Sequence, residues 1–487
     1  MAAKIFSPKR LHHKRWIFSQ IRLVNYDLAP EDEYTDVPKY PPIHDTSYEG
    51  TQLRKRREWY DRVRALPTVE QKLLEIAMEK GRQFSYIIKP QSNYYNCLPA
   101  FQYATRTHLI KGLPKEYSEV DVEDVYGRLK SNLTDAIASE LDVDRSPVIK
   151  PEKMEETKQA NIIRQVASAL LKGLVWQTPQ LETAEVDREP RCNAFWWHGR
   201  YHTDYKRWNR KKEWMTIPFQ YDDSPDIQIR VKEPLPQVIS RDDSLVQSAE
   251  VPDFPYHPRL QRLKFKSRVL TTVPGTWPNN RGCDFPLVTL HRRNTLIFEG
   301  CMFKTEQDIE NALDASAVLV GFGGLNAFST NLGFTPFHDI TYPLVSQDVN
   351  TDGQHWTFSV YQLNTNGLHP DFSDDSPARN LCWTSGNLRL YEAYENGELK
   401  GLNDDVLKTL LRFMIRKPHA PEGVELRPFL GVDTRTDEEK EATWKELRSK
   451  YDNRFNMHQA IKSEVPMWVR IYKLHPDAPL CPTIRLT

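Results

Sequence analysis

Residues 345–365 read VSQDVNTDGQHWTFSVYQLNT, and this stretch indicates how the chain folds. Its centre, Asp352-Gly353, is a strong turn dipeptide, because glycine accepts a positive φ without a Cβ clash. Beyond the turn, large apolar side chains alternate with polar ones, which is the period of a strand with one buried face. The pattern predicts a β-hairpin in which His355 lies on the face opposite Trp356.

The same stretch is dense in residues that build active sites, namely Ser346, Asp348, Asp352, His355 and Tyr361. A serine nucleophile would need a sharp elbow such as GxSxG, and that motif is absent from the chain. The hairpin pattern accounts for the stretch without catalysis. We therefore interpret it as scaffold.

Two further motifs invite a chemical interpretation. GFGG, residues 321–324, follows helical sequence and is followed by Leu325 where a phosphate-binding loop has lysine, so it predicts close helix packing. His198 and His202 are four residues apart, and two histidines at that spacing can bind one metal ion if they lie on a helix. However, Gly199 weakens a helix there, and the HExxH motif is absent. The sequence thus predicts no metal, no cofactor and no enzyme.

Composition limits the class of protein. The 487 residues are 39% hydrophobic, which suits a soluble globular protein of two or three domains. With 66 acidic and 66 basic side chains the net charge is zero, so nucleic-acid contacts should be local and a DNA-coating role is not expected. The apolar run 315–328 is too short to span a bilayer, so no membrane span is predicted. Six scattered cysteines without a CxxC pair suggest reduced thiols.

Basic and aromatic side chains alternate from residue 191 to 214, with seven Lys or Arg, seven aromatics and two acids. Such side chains neutralise phosphates and stack on unpaired bases. Residues 259–268 add five basic residues, and 54–57 and 292–293 form smaller patches. A solvated charged face with buried tryptophans explains the spacing equally well. The candidate RNA-binding residues are Arg191, Trp196, Trp197, Arg200, Lys206, Arg207, Arg210, Lys211, Lys212, Arg259, Arg262, Lys264, Lys266 and Arg268.

The chain divides by composition into four regions of an α+β fold, in which helices mix with an antiparallel β section and irregular proline-rich connections. Residues 1–45 form a basic segment, which suits mitochondrial targeting or a retained arm that touches phosphate. Residues 46–177 are mainly helical, 178–418 form the α+β core, and 419–487 form a C-terminal extension. Between Thr178 and Thr305 prolines interrupt the pattern, and only short strands such as 227–231 are expected.

Start and stop residues predict several helices. Apolar positions at helical spacing mark residues 152–174, and 118–143 has a weaker pattern. Cap residues predict helix starts at Thr68, after a break at Pro67, and at Thr305, Asn403 and Thr436. Residues 342–395 are expected to be rich in strands.

Three segments together resemble a known family. PLVSQDVNTDGQHWTFSVYQLNT is followed by ARNLCWTSGNLRLYE and KGLNDDVLKTLLRFMIRKP, and weaker echoes occur at YPPI (residues 40–43) and FSYIIKPQS (residues 84–92). These segments resemble the metazoan mitochondrial ribosomal proteins first numbered small-subunit protein thirty, also called programmed cell death protein nine and now large-subunit protein sixty-five. The match is densest from Tyr342 to Pro418, and the tail beyond is longer than the family leads us to expect.

The resemblance implies a structural constituent of the mitochondrial large ribosomal subunit in the matrix, towards the polypeptide exit side. It implies contacts with large-subunit rRNA and with other large-subunit proteins, notably the related protein thirty-seven. No catalytic residue is known for the family, and the block at 191–214 aligns with it only loosely. Alternatives are a free RNA-binding or regulatory protein linked to cell death, or a metal- or nucleotide-dependent enzyme.

Overall fold

The computed structural model describes residues 45–77, 85–90, 96–143, 151–202, 214–254, 258, 263–266, 275–277, 282–293, 305–370 and 377–452. Its helices are α1 (Tyr48–Ala65), α2 (Val69–Ala77), α3 (Leu98–Thr105), α4 (Lys115–Ser118), α5 (Glu123–Leu141), α6 (Pro151–Leu174), α7 (Pro179–Glu182), α8 (Ser244–Ser248), α9 (Glu306–Asn331), α10 (Asp404–Ile415) and α11 (Asp437–Asp452). The chain divides into two compact units, residues 1–58 and 59–487.

The strands are β1 (Ser85–Ile88), β2 (Thr107–Lys111), β3 (Glu185–Arg188), β4 (Arg191–His202), β5 (Trp214–Asp223), β6 (Ile227–Val231), β7 (Lys264–Lys266), β8 (Gly275–Trp277), β9 (Phe285–Arg292), β10 (Leu344–Thr351), β11 (His355–Leu363), β12 (Asn380–Thr384), β13 (Leu388–Arg389), β14 (Ala393–Glu395) and β15 (Glu398–Lys400). Among the described residues, eight strands form one sheet in the order β2-β12-β11-β10-β9-β6-β3, with β13 paired to β11. Five strands form a second sheet in the order β7-β1-β5-β4-β8. The predicted α+β class is confirmed, but the larger sheet is mixed, because β9 runs parallel to β10 and β2 parallel to β12.

The hairpin predicted at residues 345–365 is confirmed. Strands β10 and β11 pair antiparallel up to Thr351 and Trp356, and Gly353 in the turn has a φ of 98°. The Asp352 carboxylate accepts hydrogen bonds from the backbone N–H groups of Gln354 and His355, at 2.9 and 2.6 Å. The turn residues thus supply both the positive φ and the acceptor that the reversal needs.

The expectation of one buried face on this hairpin is wrong, because both faces are covered. Helix α9 lies on the polar face, where Ser346, Asp348 and Ser359 are all buried. The apolar face packs against α10, with the rings of Phe358 and Phe413 5.3 Å apart. Alternation alone cannot distinguish a solvated polar face from one that is hydrogen-bonded beneath a helix.

The glycines of GFGG lie inside α9 and confirm the predicted close packing. A Cβ on Gly321 would lie 2.5 Å from Cβ of Tyr361, and a Cβ on Gly323 would lie 2.5 Å from the ring of Tyr221. The approaching groups are tyrosine side chains of the two sheets. Helix α9 fits between the sheets because these positions lack side chains.

Helix α9 begins with the predicted capping box, in which Thr305 and Asp308 satisfy each other's backbone N–H groups. In the described part of the chain it is the one helix long and apolar enough to cross a membrane. The most apolar window of α9 is 94% buried within the fold. An apolar helix covered on all sides by its own protein is a core helix, and α9 has that environment.

The other predicted helix starts also agree with the structure. Helix α1 ends just before Pro67 and α2 follows, with the backbone N–H of Gln71 donating to Oγ1 of Thr68 at 3.4 Å. Asn403 caps α10 through a 3.2 Å bond from the backbone of Asp405. The capping box before α11 forms between Thr436 and Glu439.

The proline-rich region contains longer strands than the sequence predicted. Strand β4 has 12 residues, and β5 has 10 residues despite Pro218 in its interior. Pro218 is paired with Trp197, immediately before a bulge in β4, and Pro286 lies beside a bulge in its own strand β9, where Leu287 is the extra residue. A bulge removes the demand for the N–H group that proline lacks, so these prolines do not end their strands.

One hydrophobic core joins side chains of α5, α6 and α10 with both sheets, for example Leu133, Ile162 and Val360. A second cluster contains buried side chains of α1, α2 and α11, including Tyr60 and Trp444. The four cysteines within the described residues, Cys97, Cys192, Cys283 and Cys382, are free and buried. The domain boundaries drawn from composition stay a prediction.

Candidate nucleic-acid interface

Strand β4 carries the two adjacent tryptophans of the candidate RNA-binding block on opposite faces. Trp196 is fully buried, donates its indole N–H to the carbonyl of Ala104 at 2.9 Å, and packs on Phe219 and on Phe322 of α9. In this conformation its ring is not accessible to a base. For this residue the structure matches the alternative of a buried tryptophan.

Trp197 is half-buried on the other face of β4. Its ring lies 4.3 Å from that of Phe195, 5.4 Å from Phe337 and 5.5 Å from His369. Aromatic clusters of this kind stabilise the fold through buried area and edge-to-face contacts. Trp197 therefore has a structural role, with only part of its ring open to a ligand.

The proposed pair of histidines lies on a strand, where the helical spacing needed to share a metal does not apply. His198 is within 3.2 Å of the carbonyl of Leu368, and burial lowers its pKa to about 4, so it is neutral at physiological pH. Gly199, with a φ of 70°, follows at the bulge, and the side chain of His202 lies outside the described part of the chain. Within the described residues, no group of three or more His, Cys, Asp or Glu could hold a metal ion.

The five-stranded sheet brings parts of the two basic blocks near each other. Arg200 follows the bulge of β4 and is exposed, and Arg191 starts the same strand and is half-buried. Strand β7, which carries Lys264 and Lys266, lies three strands away in this sheet, which is about 14 Å at ordinary strand spacing. Two blocks that are well separated in sequence thus share one sheet.

Most of the other candidates lie outside the described residues. These are Lys206, Arg207, Arg210, Lys211 and Lys212 in the connection from β4 to β5, and Arg259, Arg262 and Arg268 around β7. The structure describes the backbone of Lys264 and Lys266 but not their side chains. Their contribution to an interface stays a prediction.

The two smaller basic patches differ in their surroundings. Arg292 pairs with Asp226 at 2.8 Å, and Arg293 lies 3.5 Å from Asp352, so both guanidinium groups are neutralised within the fold. Residues 54–57 are all exposed on α1, where Arg54 lies 3.8 Å from Glu58. Counting basic residues in the sequence could not separate these two cases.

A polar network joins β5 of the five-stranded sheet to strands of the larger sheet, and sequence patterns did not predict it. His291 Nε2 lies 2.9 Å from the Asp223 carboxylate, which also accepts the Tyr221 hydroxyl proton at 2.7 Å. Ser346 donates to Asp348 at 3.0 Å. Residues from several strands contribute to the network, so no single motif reveals it.

Electrostatics in this network follow from burial and pairing. Burial raises the pKa of Asp348 to about 6, although nearby His291 opposes the rise. Burial disfavours the imidazolium of His291, but the Asp223 carboxylate outweighs that and raises its pKa. Tyr221, His291, Ser346 and Asp348 are buried and the Asp223 side chain is only 8% exposed, so we assign the network to stabilising the packing of the two sheets beside α9.

Comparison with known proteins defines the class, which is that of mitochondrial ribosomal proteins. The chain belongs to the family described as Mitochondrial 28S ribosomal protein S30 (PDCD9), whose sequence profile matches residues 9–418. It is 23% identical over 382 residues to the rat Large ribosomal subunit protein mL37, covering 75% of this chain and 81% of that protein. The mouse mL37 is 23% identical over 187 residues, 38% of this chain and 41% of the relative.

The family indicated by the resemblance is confirmed, and so is its relation to large-subunit protein thirty-seven. The profile match ends at residue 418, where the dense part of the resemblance also ends. Membership in this family indicates a structural role in mitochondrial translation, and a mitochondrial location.

Proposed function

We propose that the protein is a structural constituent of the large subunit of the mitochondrial ribosome, located in the matrix, and that it corresponds to large-subunit protein sixty-five. The observation that carries the proposal is similarity along three quarters of the chain to a protein named as part of the large subunit. The fold agrees with a scaffold role, because the polar residues of the hairpin stretch are committed to internal hydrogen bonds. The protein is not an enzyme in this proposal.

We further propose contacts with large-subunit rRNA through the basic residues of the two candidate blocks. Arg200 is exposed, and Lys264 and Lys266 belong to the same sheet. Cations at such positions would neutralise phosphates, while Trp196 would act by supporting β4 from inside. The zero net charge suits a component that also contacts protein neighbours, among them the related protein thirty-seven.

The direct test is sedimentation of a tagged copy from purified mitochondria, before and after magnesium removal separates the subunits. We expect the protein to migrate with the large subunit in both conditions. Migration with the small subunit would contradict the subunit assignment. A peak at the top of the gradient in both conditions would favour a free RNA-binding or regulatory protein instead.

The rRNA contact is tested in the same gradients at increasing salt. Changing Lys206, Arg207, Arg210, Lys211 and Lys212 to Ala should release the protein from the particle at lower salt, because each lost phosphate contact reduces the counterions released on binding. A matched control changes five lysines that are dispersed over the surface, Lys115, Lys153, Lys172, Lys232 and Lys417. Equal salt sensitivity of the two variants would contradict a specific role for the block.

A further inference from the structure

The first half of helix α1 shows an unusual pattern of exposure. All six residues from Leu53 to Glu58 are exposed. A helix that rests on a protein surface buries a position every three or four residues, because 3.6 residues make one turn. The stretch from 53 to 58 is longer than one turn, so no side of the helix is buried there, although Leu53 is only 37% exposed.

The charges on this stretch are almost all positive. Arg54, Lys55, Arg56 and Arg57 are consecutive, and successive side chains on a helix are about 100° apart. The four cations therefore point in four directions around the axis. The carboxylate of Glu58 lies 3.8 Å from Arg54. Lys55 and Arg57 lie about 160° apart around the axis, on nearly opposite sides of the helix, so anions on two sides would stabilise the segment.

We propose that this stretch of α1 inserts between two phosphate backbones of folded RNA, in a duplex whose major groove is widened by a bulge. A flat row of phosphates could face Lys55 or Arg57 but not both, whereas backbones on two sides can face both. The helix with its side chains is about 10–12 Å wide, and the regular A-form major groove is deep and narrow. Unpaired nucleotides that open the groove are therefore part of the fit.

An exposed aromatic ring supports a site beside unpaired bases. Tyr48 is 78% exposed, and it precedes Lys55 by two helical turns, which places both on the same side of α1. A flat ring can stack on any unstacked base without reading its sequence. The segment thus recognises shape and charge, not sequence. This inference rests on the proposed role in the ribosome and deepens it by naming the RNA structure that is bound.

The inference is tested with the full-length purified protein and three fluorescent RNA probes: a perfectly paired duplex, the same duplex with a short bulge, and a single strand. We expect the bulged duplex to bind most tightly. Changing Arg54, Lys55, Arg56 and Arg57 together to Gln, which keeps helix propensity, should lower the slope of log Kd against log salt by about 2–4. Tyr48→Ala should weaken binding of the bulged duplex about tenfold and leave the perfect duplex unchanged.

The matched control removes the same charge elsewhere, by changing Lys115, Lys153, Lys172 and Lys232 to Gln, all of which are exposed. For this control, the slope of log Kd against log salt should stay close to that of the wild type. Equal losses in the two variants would overturn the inference, as would equal affinity of the wild type for the three probes. Circular dichroism of the helix variant checks that it remains folded.

Sedimentation separates a failure of this inference from a failure of the proposed function. If the wild type does not migrate with the large subunit, the proposed function fails. If the wild type and the helix variant stay on the particle to the same salt concentration, the inference about α1 fails alone. Ribonuclease treatment that leaves the α1-dependent association intact would identify a protein partner and also overturn it.

Discussion

Helix α9 and the first half of helix α1 are both helical stretches without a polar and an apolar face, yet their environments are opposite. In α9 apolar and small side chains surround the axis, and 18 residues from Ala312 to Thr330 are buried between the sheets. In residues 53–58 cations surround the axis and every position is exposed. A helix of one character all round needs one kind of environment all round. The fold supplies it for α9, and we propose that RNA supplies it for α1.

This difference predicts where substitutions act. Changes in α9 should alter the free energy of unfolding, because its neighbours are parts of the same chain. Changes in residues 53–58 should alter association and leave folding nearly unchanged. The following three experiments test this contrast, from the largest expected effect to the smallest.

The largest effect is expected at the contact between α9 and β11. Gly321→Ala would place a methyl group 2.5 Å from Cβ of Tyr361, an atom so close to the backbone that it cannot rotate away. We expect a loss of about 3 kcal/mol in the free energy of unfolding, measured by urea denaturation.

The matched control is Gly324→Ala, in the same helix, where an added Cβ meets nothing within 4 Å. It should be neutral or stabilise by up to about 1 kcal/mol, through helix propensity. Similar losses of stability in the two variants would mean that the geometry of α9 itself, and not the contact with Tyr361, disfavours an added side chain.

The polar network beside α9 should give an intermediate, pH-dependent effect. The pKa of Asp348 is raised from 3.8 to about 6 by burial, so its folded state holds a proton more tightly than the unfolded state. The protonated Asp348 makes its full contribution to the free energy of unfolding below about pH 4. That contribution is lost as the pH rises through about 6. Asp348→Asn stays neutral and should stabilise the protein at pH 7.5 by about 2–3 kcal/mol, but hardly at pH 4.

Urea unfolding of both proteins across this pH range measures the effect. Asp135→Asn is the control, because it makes the same chemical change at an exposed carboxylate on α5. If Asp348→Asn destabilises the protein at pH 7.5, then the ionised carboxylate contributes more through Ser346 and His291 than its burial costs.

The smallest effect on folding is expected from the fourfold Gln variant of residues 54–57. Exposed substitutions that preserve helix propensity change the free energy of unfolding by about 0.5 kcal/mol or less. The variant removes mutual repulsion together with the Arg54–Glu58 ion pair, so the two small effects oppose each other. A loss of more than about 2 kcal/mol in urea denaturation would show that these side chains support the fold, and would weaken the contrast with α9.

The prediction of the hairpin succeeded because its determinants are local. Asp352 and Gly353 make the turn through their own carboxylate and φ angle. The capped helix starts at Thr305, Asn403 and Thr436 succeeded for the same reason, because each cap bonds to backbone within three residues. Local hydrogen bonds leave a signature in local sequence.

The candidate interface was less predictable, because the environment of a side chain depends on distant strands. Trp196 and Trp197 are adjacent in sequence, but one lies beneath α9 and the other in an aromatic cluster with Phe337. The arginines at 292–293 are neutralised by Asp226 and Asp352, one before and one after them in the chain. Composition shows that cations are present, and only their partners decide whether they are available.

The sequence by itself determined the hairpin, the helix caps, the mixed helical and β character and the family resemblance, since each depends on residues close together or on an ordered run of matches. Tertiary structure alone decided that the polar face of β10 and β11 is buried, that Pro218 lies within a strand beside a bulge, and that Asp223, His291 and Asp348 share one network. These features depend on contacts between elements remote in sequence. Burial and pairing are properties of such contacts, so no local pattern encodes them.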